Sequence, residues 1–328
     1  MSEVEIRFGC RAYDPIAPLL LGEVPVEGVR FRWCPTPEIG NAKNELLSDD
    51  PALPNVAEMS FNRYVADYAK GDTKIMGFPA FVLKGFRQRF WFVRQDSPLE
   101  TFADLRGKRV GNDSWNDSGN MWARAAMRDA GVDLPEVEWT IGKISDAFVA
   151  KPKFATDSQP PGDYQQLAPE DNLIDALRER RIDVLTTART PPSVFERNGE
   201  FRRLLRNYGE VERDFFQRKR YRPAMHMIAV KRSFGEQNPA AMLALQKAMK
   251  ASWNHWWTRY IRWPEATPWS VEDVESYVRD YADEMCPYGL SPAQQRMVEA
   301  ICQEQYEQKL VSQAANPEAL FAAFRALK

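Results

Sequence analysis

The spacing of apolar positions changes several times along the chain, and each change predicts an element. Residues 4–8 alternate and predict a strand, followed by a loop rich in turn residues over 9–18. Residues 26–33, VEGVRFRW, predict a second strand entered through Gly28. Residues 55–60 lead into a helix over 61–69 that stops at Gly71. Further strands are predicted over 74–81 and 89–94. A new strand–helix unit begins near Pro98, with a short helix, a Gly-Lys turn and a strand at 109–111. That strand empties into a polar loop over 112–117, and a helix runs from about 118 to 130, ending at Gly131. Residues 136–140 predict another strand, 151–169 an irregular connection, 172–180 a helix, 182–186 a buried strand and 225–230 a return strand. The chain beyond Asn238 reads as mostly helical, with Trp253, Trp256, Trp257 and Trp263 packing a helical layer. Strands alternating with helices predict α/β architecture on mainly parallel sheets, with no internal repeat.

Length and charge narrow this picture. A chain of 328 residues suits two lobes. Hydrophobic residues at 44% and charged residues at 27% are ordinary for a soluble globular protein. A net charge of −2 gives no overall field for nucleic acid or an anionic membrane, so neither is an expected partner. The start, MSEVEIRFGCRAYDP, lacks a basic segment followed by an apolar one, and no apolar run approaches a membrane span; a cytoplasmic location is expected. Cys10, Cys34, Cys286 and Cys302 form no C-x-x-C pair and read as free thiols. His226 and His255 are the two histidines, too few for a histidine-rich metal site. Neither a metal nor another cofactor is expected.

Two kinds of segment carry a family resemblance. DLRGKRVG and the later RIDVLTTA resemble the second lobe of type-two periplasmic binding proteins. CRAYDPIAPLLLGEVPVEGV, AEMSFNRYVADYAKGD, GFRQRFWFVR, ARTPPSVF, RPAMHMIAVKR and CPYGL resemble, in order, the 4,5-dihydroxyphthalate decarboxylase family. They span Cys10 to Leu290. The resemblance implies a two-lobed, periplasmic-binding-protein-like fold with a ligand cleft between the lobes and a helical C-terminal region. Residues 1–96 plus 221–328 form the expected first lobe, and 97–220 the second. It also implies a cofactor-independent carboxy-lyase that protonates a ring carbon of a hydroxylated, phthalate-like acid and releases CO2. The family's Phe-Arg-His reads Phe86-Arg87-Gln88 here, and glutamine carries no proton near neutral pH. A solute-binding protein for a small aromatic or carboxylate ligand, or another lyase on the same lobes, remains an alternative. A homo-oligomer is compatible with the sequence.

Such a reaction needs cations to hold carboxylates and an acid to deliver a proton. Arg87 and Arg189, beside predicted strands, are the first carboxylate clamps, because a guanidinium matches a carboxylate with two parallel bonds; Arg11 is a third candidate. Ser114 and Ser118 bracket a helix start, where exposed N–H groups attract an anion, although Ser118 or Asp117 can simply cap the helix. Ser60 and Asn62 follow a first-lobe strand where binding folds touch their ligand; capping is the alternative for Ser60. His226 is the histidine inside a family-like motif, and an imidazole's ordinary pKa near ~6.5 suits proton transfer. His255 reads as a helix-surface or packing residue, and Tyr288 as lining a site or bracing the turn at Gly289.

Overall fold

The computed structural model describes residues 4–35, 42–145, 160, 164–264, 267–281 and 284–327. In chain order the elements are β1 (Val4–Cys10), α1 (Ala17–Leu20), β2 (Val29–Pro35), α2 (Ala42–Leu47), β3 (Val56–Ser60), α3 (Phe61–Ala69), β4 (Ile75–Lys84) and β5 (Trp91–Arg94). Next come β6 (Arg109–Asn112), α4 (Ser118–Asp129), β7 (Glu138–Ile141), β8 (Tyr164–Gln166), α5 (Leu173–Arg178), β9 (Val184–Thr186), β10 (Phe201–Arg203) and α6 (Tyr208–Lys219). The chain ends with β11 (Ala224–Lys231), α7 (Arg232–Gln237), α8 (Pro239–Arg262), α9 (Ser270–Tyr281), α10 (Pro292–Glu307), α11 (Pro317–Leu320) and α12 (Ala322–Arg325).

The chain divides into two compact units. The first comprises residues 1–84, 224–302 and 315–328. Its sheet has the order β2-β1-β3-β11-β4, in which β1 runs parallel to β2 and β3, and β11 runs antiparallel to β3 and β4. Alternation on β1 buries Ile6 and Phe8, which join Phe78, Ile228 and Val230 in a core closed by Met242, Leu245 and Met249 of α8. Trp253 lies in the same core and stacks on Trp257 at 5.8 Å, whereas Trp263 is 71% exposed and does not join the expected helical layer.

The second unit comprises residues 85–223 and 303–314. Its sheet has the order β10-β5-β9-β6-β7-β8. The β9, β6, β7 and β8 strands run parallel to one another, while β5 pairs antiparallel with both β9 and β10. Phe92, Leu173, Leu177, Leu185 and Phe201 form a core on this sheet. The unit begins earlier than residue 97, because β5 pairs with β9 (Trp91 opposite Thr186) and so belongs to this sheet. Both sheets are mixed; the antiparallel pairs belong to β11 and β5. Of the irregular segment expected over 151–169, residues 151–159 and 161–163 lie outside the described residues. Tyr164–Gln166 is a strand, the edge partner of β7, with Tyr164 opposite Trp139. Its polar sequence hid it: an edge strand with one covered side needs little apolar content. Among the described residues, no helix is long and apolar enough to cross a membrane.

Candidate functional site

In the first unit the polar centre is Glu58, a carboxylate with no exposed surface on the middle strand β3. Antiparallel pairing sets Glu58 opposite Ile228 and Ser60 opposite His226, so all four lie on one face and Glu58 and His226 are diagonal neighbours. A register irregularity on the β4 side of β11 falls at His226. Nδ1 of His226 lies 2.6 Å from Oε1 of Glu58, and the hydroxyl of Tyr13 donates to the same oxygen at 2.5 Å. Oε2 accepts the backbone N–H of Arg11 at 3.0 Å and lies 3.6 Å from Sγ of Cys10.

These donors decide the charge of the buried group. Burial alone raises the pKa of Glu58, but the bonds from His226, Tyr13 and the Arg11 amide outweigh it and hold the carboxyl below its ordinary value. The neighbours shift the other way. Burial, then the charge of Glu58, pushes the Cys10 thiol and the Tyr13 phenol well above their ordinary values. An ionised Glu58 accepts only, so Nδ1 of His226 carries the proton of that bond and Nε2 is the nitrogen left for exchange. The His226 side chain is 13% exposed while Glu58 is sealed, which lets the imidazole meet solutes and keeps its orienting carboxylate dry.

The other first-unit candidates have structural partners. Ser60 caps α3, accepting the backbone N–H of Arg63 at 3.3 Å, and Asn62 is buried in the first turn of that helix. Tyr288 is 5% exposed, in the same core cluster as Cys10. Its segment is tied to β4 by Phe81 N–H to Pro287 O at 3.1 Å and Gly289 N–H to Pro79 O at 2.7 Å, with Gly289 at φ +115°. His255 sits on α8, 3.2 Å from Glu23, in keeping with a surface role.

In the second unit Arg87 is 6% exposed, and its Nε has no hydrogen-bond partner among the described residues. The guanidinium carbon lies 4.4 Å from the centroid of the Phe90 ring. It also reaches the first turn of α4: a Cβ placed on Gly119 would come 3.1 Å from Cζ of Arg87 and 3.0 Å from Cβ of Ala188. Burial lowers the pKa of Arg87 to about 10, opposed by the charge of Asp117, so the group remains a cation at neutral pH. Asp117 caps α4, accepting from the N–H of Gly119 at 2.7 Å and of Asn120 at 3.1 Å; Ser118 is buried just inside the helix. Ser114 donates its N–H to Oδ1 of Asn112 at 3.0 Å. Arg189 is exposed after β9, with its N–H on Oγ1 of Thr187 at 3.3 Å. Gln88 is buried, and its side-chain oxygen turns back to the N–H of Arg87 at 3.1 Å.

Three residues enter that the sequence reading passed over: Glu58, Tyr13 and Asp113. Glu58 had a usable signal, an acidic residue inside the apolar strand VAEMS. Asp113 accepts from Nδ2 of Asn120 at 2.9 Å, and burial followed by the charge of Asp117 pushes its carboxyl up to about 6. Oδ1 of Asn120 and Nδ2 of Asn112 have no partner among the described residues. A cavity of about 340 Å³ also borders Arg87 and Gln88, walled by Trp122, Phe215 and Tyr221. Its charges are satisfied internally, Arg128 by Glu304 at 2.6 Å and Lys219 by Asp129 at 2.8 Å. No group of three or more His, Cys, Asp and Glu side chains among the described residues is placed to share a metal ion.

Comparison with known proteins adds an independent line. No family model matches the chain. A 4,5-dihydroxyphthalate decarboxylase of Comamonas testosteroni is 27% identical over 257 residues, covering 77% of this chain and 76% of that protein. A protein of the same name from Pseudomonas putida is 28% identical over 145 residues, 43% of this chain and 54% of that protein. Among solved structures, the periplasmic aliphatic sulphonate binding protein SsuA of Escherichia coli superposes with a TM-score of 0.56 at 15% identity, covering 98% of this chain and 99% of that one. A Candida albicans gene product with the generic periplasmic binding protein fold gives 0.54 at 11% identity, covering 98% and 95%. The structural matches speak to fold alone. The chain therefore has the fold of the periplasmic binding proteins, and in sequence it is a relative of the 4,5-dihydroxyphthalate decarboxylases.

Proposed function

We propose that the protein is a non-oxidative decarboxylase of a small hydroxylated aromatic acid of the phthalate type. The observation that carries this reading is the His226–Glu58 pair, 2.6 Å apart, with the carboxylate fully buried and ionised. Holding a solute requires no such proton-transfer unit; protonating a carbon does. Glu58 fixes the ring and its tautomer, while Nε2 gives its proton to the ring carbon that bears the carboxylate. A ring hydroxyl supplies the electron density for that protonation. The bond from ring carbon to carboxylate carbon then breaks, its electron pair restores the aromatic ring, and CO2 leaves. The imidazole regains one proton from solvent, so each turnover consumes one proton. Within the second unit, Arg87 is a carboxylate-binding candidate, because a buried guanidinium with an open Nε favours an anion. Arg189 and Arg11 are further carboxylate-binding candidates. We place the activity in the cytoplasm, with no cofactor.

Binding without turnover is a second reading, favoured by the fold shared with a sulphonate-binding protein. One experiment separates the two. The purified protein is incubated in D2O with 4,5-dihydroxyphthalate and a panel of hydroxybenzoates and phthalates, and CO2 and the aromatic product are followed. Decarboxylation yields CO2 and a product deuterated at the vacated carbon. Tight binding across the panel with no CO2 supports the solute-binding reading.

A further inference from the structure

The second unit carries a cavity apart from the proton-transfer pair, and the sequence of α4 makes room for it. Trp122, Ala125, Ala126 and Asp129 follow the i, i+3, i+4, i+7 spacing of a single helix face, and all four border the space. Two alanines stand where larger side chains would fill a packed core. The volume is about 340 Å³, within the range of small-molecule sites, roughly 300–1,000 Å³. Every residue that lines it belongs to the second unit. Buried aromatic rings supply much of the wall: Tyr221 packs 5.9 Å from Trp122 and 5.6 Å, edge-on, from Phe215. Lys219 and Glu307, with side chains 42% and 35% exposed, mark the mouth.

The polar groups on this cavity are unevenly satisfied, and that selects the ligand. Toward the mouth Arg128 bonds Glu304 and Glu307 at 2.6 Å each, and Lys219 pairs with Asp129 at 2.8 Å. Arg87 differs: it is a buried cation whose Nε has no partner among the described residues, and Asp117 and Glu212 act on it through space alone. Beside it the side-chain oxygen of Gln88 is taken by the Arg87 N–H, which leaves the NH2 end of that amide as a donor. Glu304 has the opposite character. Its Oε2 accepts from both Arg128 and Gln308, at 2.6 and 3.0 Å, so Oε1 is the oxygen left to accept. Arg128 already meets the charge of Glu304, which favours a neutral donor there over a second cation. Donors at Arg87 and Gln88, aromatic walls and an acceptor at Glu304 fit a flat ring that bears a carboxylate and a hydroxyl. We infer that this cavity is a binding site for a hydroxybenzoate, separate from the His226–Glu58 pair. Occupancy needs no turnover at that pair, so a chain that releases no CO2 still binds the ligand here.

Titration calorimetry of 4-hydroxybenzoate into the full chain, together with a crystal soaked in the same compound, tests this directly. The expected Kd is about 1 mM or tighter, with density for the ring in the cavity. Benzoate, which lacks the hydroxyl, should bind several-fold more weakly, and 4-hydroxybenzyl alcohol, which lacks the carboxylate, about 10-fold or more. Ala126→Met fills the space with a good helix former and should raise the Kd by about 10-fold or more, with an unchanged circular dichroism spectrum. Because a longer side chain there can shift α4, Gln88→Glu gives a separate arm. It keeps an oxygen to accept from the Arg87 N–H and sets a negative charge against the carboxylate, so the Kd should rise by about 10-fold or more again. Three results overturn the site: no binding up to about 10 mM, an affinity that either variant leaves unchanged, or density for the ligand beside His226 and none in the cavity.

Discussion

At the residue scale the proposed chemistry rests on how a sealed carboxylate holds an imidazole. Glu58 accepts from Tyr13, from the Arg11 amide and from His226, and removing its charge leaves the imidazole without an orienting partner. Glu58→Gln should therefore lower turnover by about 10-fold or more while changing KM less, since it acts on the proton donor and not on substrate. His226→Asn should reduce turnover by roughly 10²-fold or more and leave substrate binding measurable by calorimetry. Wild-type turnover in the His226 variant would assign that residue to structure. The sequence made His226 legible, because an imidazole is rare in this chain and its motif resembles a known family. It left Glu58 in shadow, because the pairing of β3 with β11 that brings residues 58 and 226 together spans 168 positions. Tyr13 was hidden for the same reason. Arg87 was legible as a cation but not as a buried one: nothing local to the sequence announces that Nε lacks a partner. Arg87→Ala should weaken binding of an aromatic carboxylate more than Arg87→Lys, because lysine keeps the charge and loses the fork. Titration calorimetry reads the order of the two affinities, and equal wild-type affinity in both variants removes Arg87 from the site.

At the scale of elements, the start of α4 shows how the backbone makes room for a side chain. Gly119 has an ordinary helical conformation, so its lack of a side chain serves contact and not backbone freedom. A methyl there would press on Arg87 and Ala188 at 3.1 and 3.0 Å, closer than nearly all real contacts of that kind. Gly119→Ala should thus displace the guanidinium. Carboxylate binding is expected to weaken several-fold, while helix propensity, which favours alanine, limits the loss of stability. A crystal structure of the variant with Arg87 unmoved, together with unchanged affinity, would count against the clamp. Elements of this kind were largely legible. The helix over 118–130 and the return strand over 225–230 match α4 and β11 closely, because apolar period and turn residues both mark them. Strand β8 was not, since its partner β7 lies outside its own local pattern and its residues are polar. The assignment of β5 failed for a related reason: a strand's sequence tells that it pairs, not with which sheet.

For the molecule as a whole, two carboxyls, Glu58 and Asp113, should give opposite slopes to stability against pH. Glu58 has its folded pKa below the unfolded value, so its contribution is fully present above that unfolded value, near 4.5. It is lost as pH falls through the folded value. Asp113 behaves in reverse. Its carboxyl is raised from 3.8 to about 6, so the unfolded chain releases this proton first and the folded state keeps it. Stability from this group therefore declines as pH rises through the window between those two values. At pH 7 the folded chain holds Asp113 ionised in a poorly solvated place, near the charge of Asp117. Asp113→Asn removes that cost and leaves an oxygen to accept from Asn120, so its advantage over wild type should grow from little near pH 4 to on the order of 1–3 kcal/mol at pH 7. Glu58→Gln should do the opposite, destabilising by about 1–3 kcal/mol at pH 7 and converging on wild type as the medium becomes more acid. Urea midpoints for the three proteins at pH 3.5, 5 and 7 read both effects, and differences from wild type cancel the carboxylates that all three share. Midpoints are the quantity to compare, because a chain of two compact units need not unfold in one step. If the Asp113 variant gains nothing between pH 4 and pH 7, its carboxyl is well solvated and titrates in the ordinary range.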